Sequence, residues 1–439
     1  MTDADQRLTA IEVTGFKSAI DPVRVNFRDI TILAGVNSAG KSTIMQPLLL
    51  IKQTIEKPFD PGGLAIDGPL VRFTQTEQFL SHTASKAAAQ TFRIKFMSRT
   101  GWVRLIYGRS GPVGIDVLEM DFTNDNKEFH WENNQALTKD DLFETDPDGN
   151  NNLWLHMVPF PPNRGMCVIR DRVTLAAGLA QQGAAPSERS DILFRPAGAV
   201  VDQVRNLIHL PGLRGNPERH YAISAAGPQY PGNFNDYVAS VIHQWTTIGD
   251  CKVKRLEDNL KSLGLTWRVT TRAVDDTRVE VRVGRLPAAT RGGARDTVNI
   301  ADVGFGVSQT LPVLVALLAA TRHQIVFIEQ PELHLHPRAQ VALADIIIQA
   351  AERGVRPVIE THSSLLLLAL QAAIAEGRIA PDRVSLNWFT RDSIGQTHVT
   401  EAQIGEDGSY GDWPEDFGTI ELELQDRYMT LVERRHVRG

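Results

Sequence analysis

The sequence predicts an α/β protein with a mixed, largely parallel sheet, an antiparallel β lobe and a helical insert. Three observations lead there. The last third alternates apolar helices with short apolar strands, the pattern of a parallel sheet covered by helices. Near the start, an apolar strand runs into a glycine-rich turn and then a helix. Between them, from about residue 91 to 131, short alternating runs are punctuated by Gly, Ser and Asn, which reads as an antiparallel meander.

The elements follow in chain order. "LTAIEVTGF" and "VRVNFRDITILAG" alternate and then become continuously apolar, as strands do. "KSTIMQPLLLIKQTI" is the helix after the glycine turn. "TFRIKFMS", "GWVRLIYG" and "GIDVLEMDFT" form the meander. Residues 132–165, rich in Asn, Asp and Pro, read as loops or an insert. "RDRVTLAAGLAQQ", "SDILFRPAGAVVDQVRNLIHL", "NFNDYVASVIHQWTTI" and "DCKVKRLEDNLKSLG" read as helices. "LTWRVTTRAVDDTRVEVRVG" alternates on both sides of "VDDT" and predicts a hairpin. "RLPAATRGGARD" reads as a flexible loop. The helix "VSQTLPVLVALLAATR", strand "QIVFIE", helix "PRAQVALADIIIQAAER", strand "RPVIET", a further helix and the strand "RVSLNWFT" complete the α/β third.

With 439 residues the chain is long enough for two or three domain-sized units. Apolar residues are 42% and charged residues 22%, so a large core is possible. A net charge of −6 argues against nucleic-acid binding by bulk electrostatics, though a local basic groove stays possible. Cys167 and Cys251 lie far apart and show no CxxC spacing, which excludes a disulfide framework and suggests reduced thiols. The polar N-terminus does not read as a signal peptide, and the apolar runs are too short to span a bilayer. No membrane role and a cytoplasmic location are expected.

Four motifs carry chemistry. "GVNSAGKS" is Gly35-x4-Gly40-Lys41-Ser42, a phosphate-binding loop. Its glycines let backbone N–H groups of residues such as Asn37 and Ser38 surround phosphates. Lys41 reaches the β- and γ-phosphates, Ser42 holds Mg²⁺, and the helix N-terminus at Ser42–Thr43 adds its positive end. "QIVFIEQPE" places Glu329 at the carboxyl end of a buried strand, where a carboxylate can hold Mg²⁺. The next position, where a general base is expected, is Gln330, which cannot accept a proton but can orient a water. Glu332, two residues on, is the alternative base. "NIADVGFGVSQTLPVLVAL" puts Gly304, Gly306, Ser308 and Gln309 at the start of an apolar helix, an arrangement suited to an anion. "VIETHSS" ends a further strand in Thr361-His362-Ser363, where His362 can meet a γ-phosphate and the attacking water. His334 and His336 with Glu332 invite a zinc reading, but the segment has no further carboxylate or Cys. A subunit-contacting loop is the better reading.

Taken in this order, these four elements resemble an ABC-type ATPase P-loop head. The match is nearest to the branch holding the SMC and RecF repair ATPases and the overcoming-lysogenization-defect proteins. "GFKSAIDPVRVNFRDITILAGVNSAGKST" looks like that branch's opening. "VGFGVSQTLPVLVALL", "IEQPELHLHP" and "IETHS" look like its signature, Walker B with D-loop, and H-loop. "IHLPGLRGNPERHY" and "GSYGDWPEDF" also look like a bacterial AAA-type subfamily of the branch. The resemblance implies ATP and Mg²⁺ as cofactors and a head-to-tail homodimer. In that dimer, ATP on Gly35–Thr43 of one protomer is covered by Ser308 of the other. It also implies a Q-loop glutamine touching Mg²⁺, for which Gln75 is the candidate and Gln78 the alternative. The signature lacks the double glycine of transporters, long coiled coils are missing, and no nuclease domain fits after His362.

The implied organisation is one half of the head in 1–165, a mainly helical insert in 166–260, and the other half in 261–439. The implied function is a slow ATPase whose dimerisation controls a separate nuclease or toxin in bacterial defence against phage. A DNA-gripping repair ATPase is the alternative, with Arg205, Arg214, Arg219, Lys252, Lys254 and Arg255 as a possible basic surface. A third possibility is a nucleotide-binding scaffold that barely hydrolyses.

Overall fold

The computed structural model describes all residues except 1–6, 58–62, 83–88, 110–113, 125–126, 133–152, 160–172, 180–191, 195–197, 225–226, 228, 286–295, 412–425 and 431–439. Cys167, the expected loop 286–295 and most of the expected 132–165 insert therefore lie outside the described residues, as does most of "GSYGDWPEDF". In chain order the elements are β1 (Ala10–Thr14), β2 (Val23–Asn26), β3 (Ile30–Gly35), α1 (Lys41–Ile55), β4 (Thr91–Met97), β5 (Trp102–Gly108), β6 (Asp116–Asn124) and β7 (Lys127–Glu132). There follow β8 (Leu153–Pro159), β9 (Val173–Leu179), β10 (Ile192–Phe194), α2 (Gly198–Asn206), β11 (Ile208–Leu210), β12 (Tyr221–Ala222), α3 (Val238–Ile248), α4 (Cys251–Ser262), β13 (Val269–Ala273), β14 (Arg278–Gly284) and β15 (Thr297–Asn299). The chain ends with α5 (Phe305–Ala319), β16 (Ile325–Glu329), α6 (Pro337–Glu352), β17 (Arg356–Thr361), α7 (Ser364–Ala375), β18 (Val384–Arg391) and β19 (Thr397–Glu401).

The chain forms two compact units. The first holds residues up to 25, 42–207 and 394–396; the second holds 26–41, 208–393 and 397 onward. In the first unit an antiparallel sheet runs β2-β1-β4-β5-β6-β7. The alternation expected of the meander is real: Phe92, Ile94 and Phe96 are buried on one face of β4. Phe16, Phe79, Phe92 and Tyr107 cluster there, Phe16 stacked on Phe79 and edge-on to Phe92, with Phe92 and Tyr107 stacked at 4.9 Å between centroids. Helix α1 buries Lys52, whose Nζ donates to the Arg205 carbonyl at 2.8 Å and pairs with Glu56, so the buried cation is compensated.

Two expected helices do not form as such. "RDRVTLAAGLAQQ" does not form a helix: β9 pairs antiparallel with β8 and with β10 in a three-stranded sheet. "SDILFRPAGAVVDQVRNLIHL" is likewise broken into β10, α2 and β11 rather than one helix. Among its described residues the 166–260 stretch is thus mixed, with helices α2, α3 and α4 beside strands. Ala and Leu favour a helix intrinsically, but strand pairing overrides propensity here.

The second unit is built on the sheet β11-β16-β17-β3-β18-β19. All its pairs are parallel except β18 with β19. Strands β3 and β17 are buried along their whole length, in keeping with their mainly apolar centres. The apolar helix α5 is buried from Val307 to Leu318 and shares one core with α3, α4, α6 and α7. The hairpin β13–β14 forms as expected and pairs on to β12 and β15. Its turn is held by Asp275, which accepts from the Thr277 N–H at 2.9 Å and pairs with Arg278. The parallel order brings the carboxyl ends of β3, β17 and β16 side by side, where such sheets gather ligands. Among the described residues no helix is long and apolar enough to cross a membrane.

Candidate nucleotide site

The loop after β3 has the backbone its sequence requires. Gly35, Ser38 and Gly40 have φ of 149°, 63° and 97°. Alternation of left- and right-handed residues turns successive N–H groups to one side, a nest for an anion. At Gly35 a Cβ would collide with the Phe389 carbonyl oxygen of neighbouring β18, so only glycine fits. Gly35→Ala should therefore cost at least ~2 kcal/mol of stability, read as a lower thermal midpoint, whatever the nucleotide state.

Lys41 is buried, and its Nζ donates to the carbonyls of Gly35 at 2.9 Å and Val36 at 2.8 Å. Burial lowers its pKa, while the carboxylates of Glu360 and Glu332 oppose that shift. Val36, Asn37 and Ser38 are exposed on the loop's rim, and Arg391 donates to the Ser38 carbonyl at 3.4 Å. The chain passes from the second unit to the first between Lys41 and Ser42, which with Thr43 opens α1.

Two carboxylates, one ending β16 and one just beyond it, have different surroundings. Glu329 Oε1 accepts from His209 Nε2 at 3.0 Å, and Oε2 accepts from the Gly212 N–H at 3.1 Å. Burial pushes its pKa up, but His209, the Gly212 N–H and the Arg214 charge outweigh burial and lower it overall. Glu329 is therefore ionised at neutral pH. Gln330 has φ 45°, and its N–H donates to the Glu360 carbonyl at 2.7 Å. Its side-chain Oε1 lies beside Gly212, 3.2 Å from where a Cβ would stand there.

Glu332 is buried against the end of β17. Its Oε1 accepts from Thr361 Oγ1 and from the His362 N–H, each at 2.8 Å, while its buried Oε2 has no hydrogen-bond partner. Burial raises its pKa; the bonds from His362 and Thr361 and the Arg214 charge only partly oppose this. His362 is bonded to the Gly35 backbone, and burial together with the Lys41 charge lowers its pKa, so it is uncharged at pH 7. Lys41, Glu332, Thr361 and His362 thus share one neighbourhood at the mouth of the phosphate loop. Ser363 caps α7, its Oγ accepting from the Leu366 N–H at 3.0 Å.

The remaining expected residues fall as follows. Ser308 is buried in the first turn of α5 behind the Gly304 cap, and its Oγ donates to the Phe305 carbonyl at 3.1 Å. Gly306 is partly exposed beside it. Gln75 and Gln78 belong to the first unit; Gln75 is exposed, and Gln78 exchanges hydrogen bonds with Thr74. His336 caps α6 through Nδ1, accepting from the Arg338 N–H at 3.3 Å, and the His334 ring lies 5.9 Å from Phe305.

The expected basic surface does not hold at Arg214. Its guanidinium is buried and donates to the carbonyls of Gln309 at 3.2 Å and Glu329 at 2.7 Å. Desolvation lowers its pKa to about 10. Arg219 pairs with Asp302, Lys254 pairs with Asp258, and Lys252 lies over the Trp245 ring.

Sequence reasoning missed His209 and Gly212 as partners of Glu329, and Glu360 as the larger opposing charge on Lys41. "IHLPGLRGNPERHY" stood out in the sequence but carried no role. Glu360 could have been found from its place directly before Thr361.

Residues 253–369 match the family model described as "AAA domain, putative AbiEii toxin, Type IV TA system". Among curated proteins none matches. Among solved structures, the chain is similar to an Smc head bound to the C-terminal winged-helix domain of ScpA, at 12% identity and TM-score 0.46, over 91% of this chain and 98% of that one. It is also similar to the SMC head domain from Thermotoga maritima, at 10% identity and TM-score 0.39, over 91% and 100%. A third is an Smc head domain with an extended coiled coil bound to the C-terminal domain of ScpA, derived from Pyrococcus furiosus, at 10% identity and TM-score 0.41, over 90% and 96%. The family match falls within the second unit, on the stretch from α4 to α7.

Proposed function

We propose that the chain binds ATP with Mg²⁺, hydrolyses it slowly, and uses nucleotide-driven dimerisation to control a separate nuclease or toxin in bacterial defence against phage. The observation that carries the catalytic part is the neighbourhood of Lys41, Glu332, Thr361 and His362 at the phosphate loop. The defence role is supported by the toxin–antitoxin description of the matching family and by the resemblance of the motifs.

Glu329 suits Mg²⁺: its neighbours keep its carboxylate ionised, a hard oxygen donor of the kind the ion prefers alongside phosphates. The Ser42 hydroxyl is the second hard donor proposed from the motif. Bound there, the ion would neutralise charge on the β- and γ-phosphates. Gln75 is the further oxygen donor proposed from the resemblance. Asn37, Ser38, Gly40 and Thr43 supply backbone donors to the phosphates, and Lys41 leaves its loop carbonyls to meet them.

Of the two positions open for activating water, Glu332 is favoured over Gln330. Glu332 is fixed by two donors on one oxygen and keeps the other unbonded, and its charge reaches Lys41. Gln330 Oε1 instead sits against Gly212. As the water oxygen attacks the γ-phosphorus and the bond to the leaving ADP oxygen breaks, Glu332 takes the water's proton and returns it to phosphate. Uncharged His362 orients the water and the γ-phosphate. A raised carboxylate pKa brings the base nearer operating pH, at the cost of a rate that falls as pH drops through that value.

In the dimer, Ser308 and Gly306 of one protomer would close on the phosphates held by the other. Ser308→Arg should therefore abolish ATP-dependent dimerisation, measured by light scattering, while leaving ATP binding to the monomer within about threefold. ATPase assays with and without DNA and neighbouring gene products test the effector reading: stimulation by a co-purifying nuclease or toxin supports it. Salt-sensitive DNA binding with DNA-stimulated turnover would favour the repair reading instead.

A further inference from the structure

Glu stands at the end of β16 where Asp, one methylene shorter, is the more familiar magnesium ligand. The extra methylene adds a rotor and reach. The structure uses that reach: both oxygens of Glu329 are held from β11 and the turn after it, Oε1 by His209 of β11 and Oε2 by the Gly212 N–H.

His209 is itself fixed. Parallel pairing of β11 with β16 sets it opposite Phe327, and the two rings stack at 5.3 Å with 14° between planes. The ring is buried, and its Nδ1 has no partner. A buried N–H without an acceptor is costly, so the ring's proton sits on Nε2, where Glu329 accepts it. The turn runs close to Glu329: a Cβ at Gly212 would stand 3.7 Å from Glu329 Cβ and 3.2 Å from Gln330 Oε1. Arg214 closes the arch by donating to the Glu329 carbonyl and to the Gln309 carbonyl of α5. Gln309 answers by donating to the Gly215 carbonyl at 2.7 Å.

We infer that His209 is a positioning residue for a metal-binding Glu329, and that the His209–Gly212–Arg214 arch is why a glutamate works at this position. The inference rests on the ATPase reading above. A carboxylate with one donor on each oxygen still has lone pairs for a cation or its bound water, and it enters the complex with its rotamer already chosen.

The test uses the full-length chain with Mn²⁺ as the metal probe and a non-hydrolysable ATP analogue. Metal binding is read by electron paramagnetic resonance, and analogue affinity without metal is measured separately. His209→Ala should raise the half-saturating Mn²⁺ concentration about tenfold, with metal-free analogue affinity unchanged. His209→Gln, whose amide can donate, should recover most of that loss. Glu329→Asp should bind Mn²⁺ more weakly than wild type, because the shorter carboxylate cannot reach both donors. Wild-type Mn²⁺ affinity in His209→Ala, or equal or tighter binding in Glu329→Asp, overturns the inference and leaves the ATPase reading intact. The Asp variant keeps the test decisive even if His209→Ala fails to fold. A wild-type chain that binds no analogue overturns both.

Discussion

Lys41→Ala abolishes ATP binding. The side chain is a buried cation with two short bonds to loop carbonyls, and it feels the carboxylates of Glu332 and Glu360. In the proposed bound state the same Nζ would serve two phosphates. Charge-assisted hydrogen bonds contribute roughly 1.5–3 kcal/mol each, so losing two weakens binding by about 10²–10⁴-fold. Alanine is a good helix former at the start of α1, so the variant folds. Calorimetry reads the affinity directly. Thermal melts give a second reading, because ATP raises the midpoint of a chain that binds it and leaves the variant's unmoved. Wild-type affinity in the variant would remove nucleotide from the loop.

Glu332→Gln separates binding from turnover and stability from activity. The amide oxygen keeps both bonds from Thr361 and His362 but cannot take a proton. Turnover should fall by about 10²–10⁴-fold with ATP affinity retained. Stability should move the other way. The folded chain holds the Glu332 proton more tightly than the unfolded chain, because burial raises its pKa. Over the window from the unfolded carboxylate value up to the raised one, the folded state binds more protons. Wild-type stability therefore declines as pH rises through that window. Glutamine carries no such charge, so the variant should be more stable than wild type at pH 8 and lose that advantage near pH 4. Urea unfolding at the two pH values checks this. A variant that is less stable at pH 8 would mean that Glu332 is compensated by more than the structure contains.

Much of the second unit was legible because burial there is extreme. β16 is an unbroken apolar run ending in Glu329, β17 has the apolar centre Pro-Val-Ile before Glu360 and Thr361, and α5 is apolar nearly all round, so period and length place them. The turn after β3 was legible because its backbone demands glycine at Gly35 and Gly40. Illegible parts are those decided by distant pairing. β9 is rich in Ala and Leu, and only its partners β8 and β10 make it a strand. His209 meets Glu329 only because β11 joins the edge of the sheet beside β16, far along the chain. Arg214 read as surface charge because sequence does not reveal that two carbonyls await its guanidinium. Gln330 looked like a damaged catalytic position; the fold turns it toward Gly212 and brings Glu332 to the H-loop instead.

Single-turnover hydrolysis of γ-labelled ATP, with wild type, Glu332→Gln and Gln330→Ala in parallel, tests the central claim most directly. The account predicts slow release of labelled phosphate by wild type, a rate within about tenfold of it for Gln330→Ala, and a bound but intact nucleotide in Glu332→Gln. Release by Glu332→Gln at the wild-type rate would contradict it.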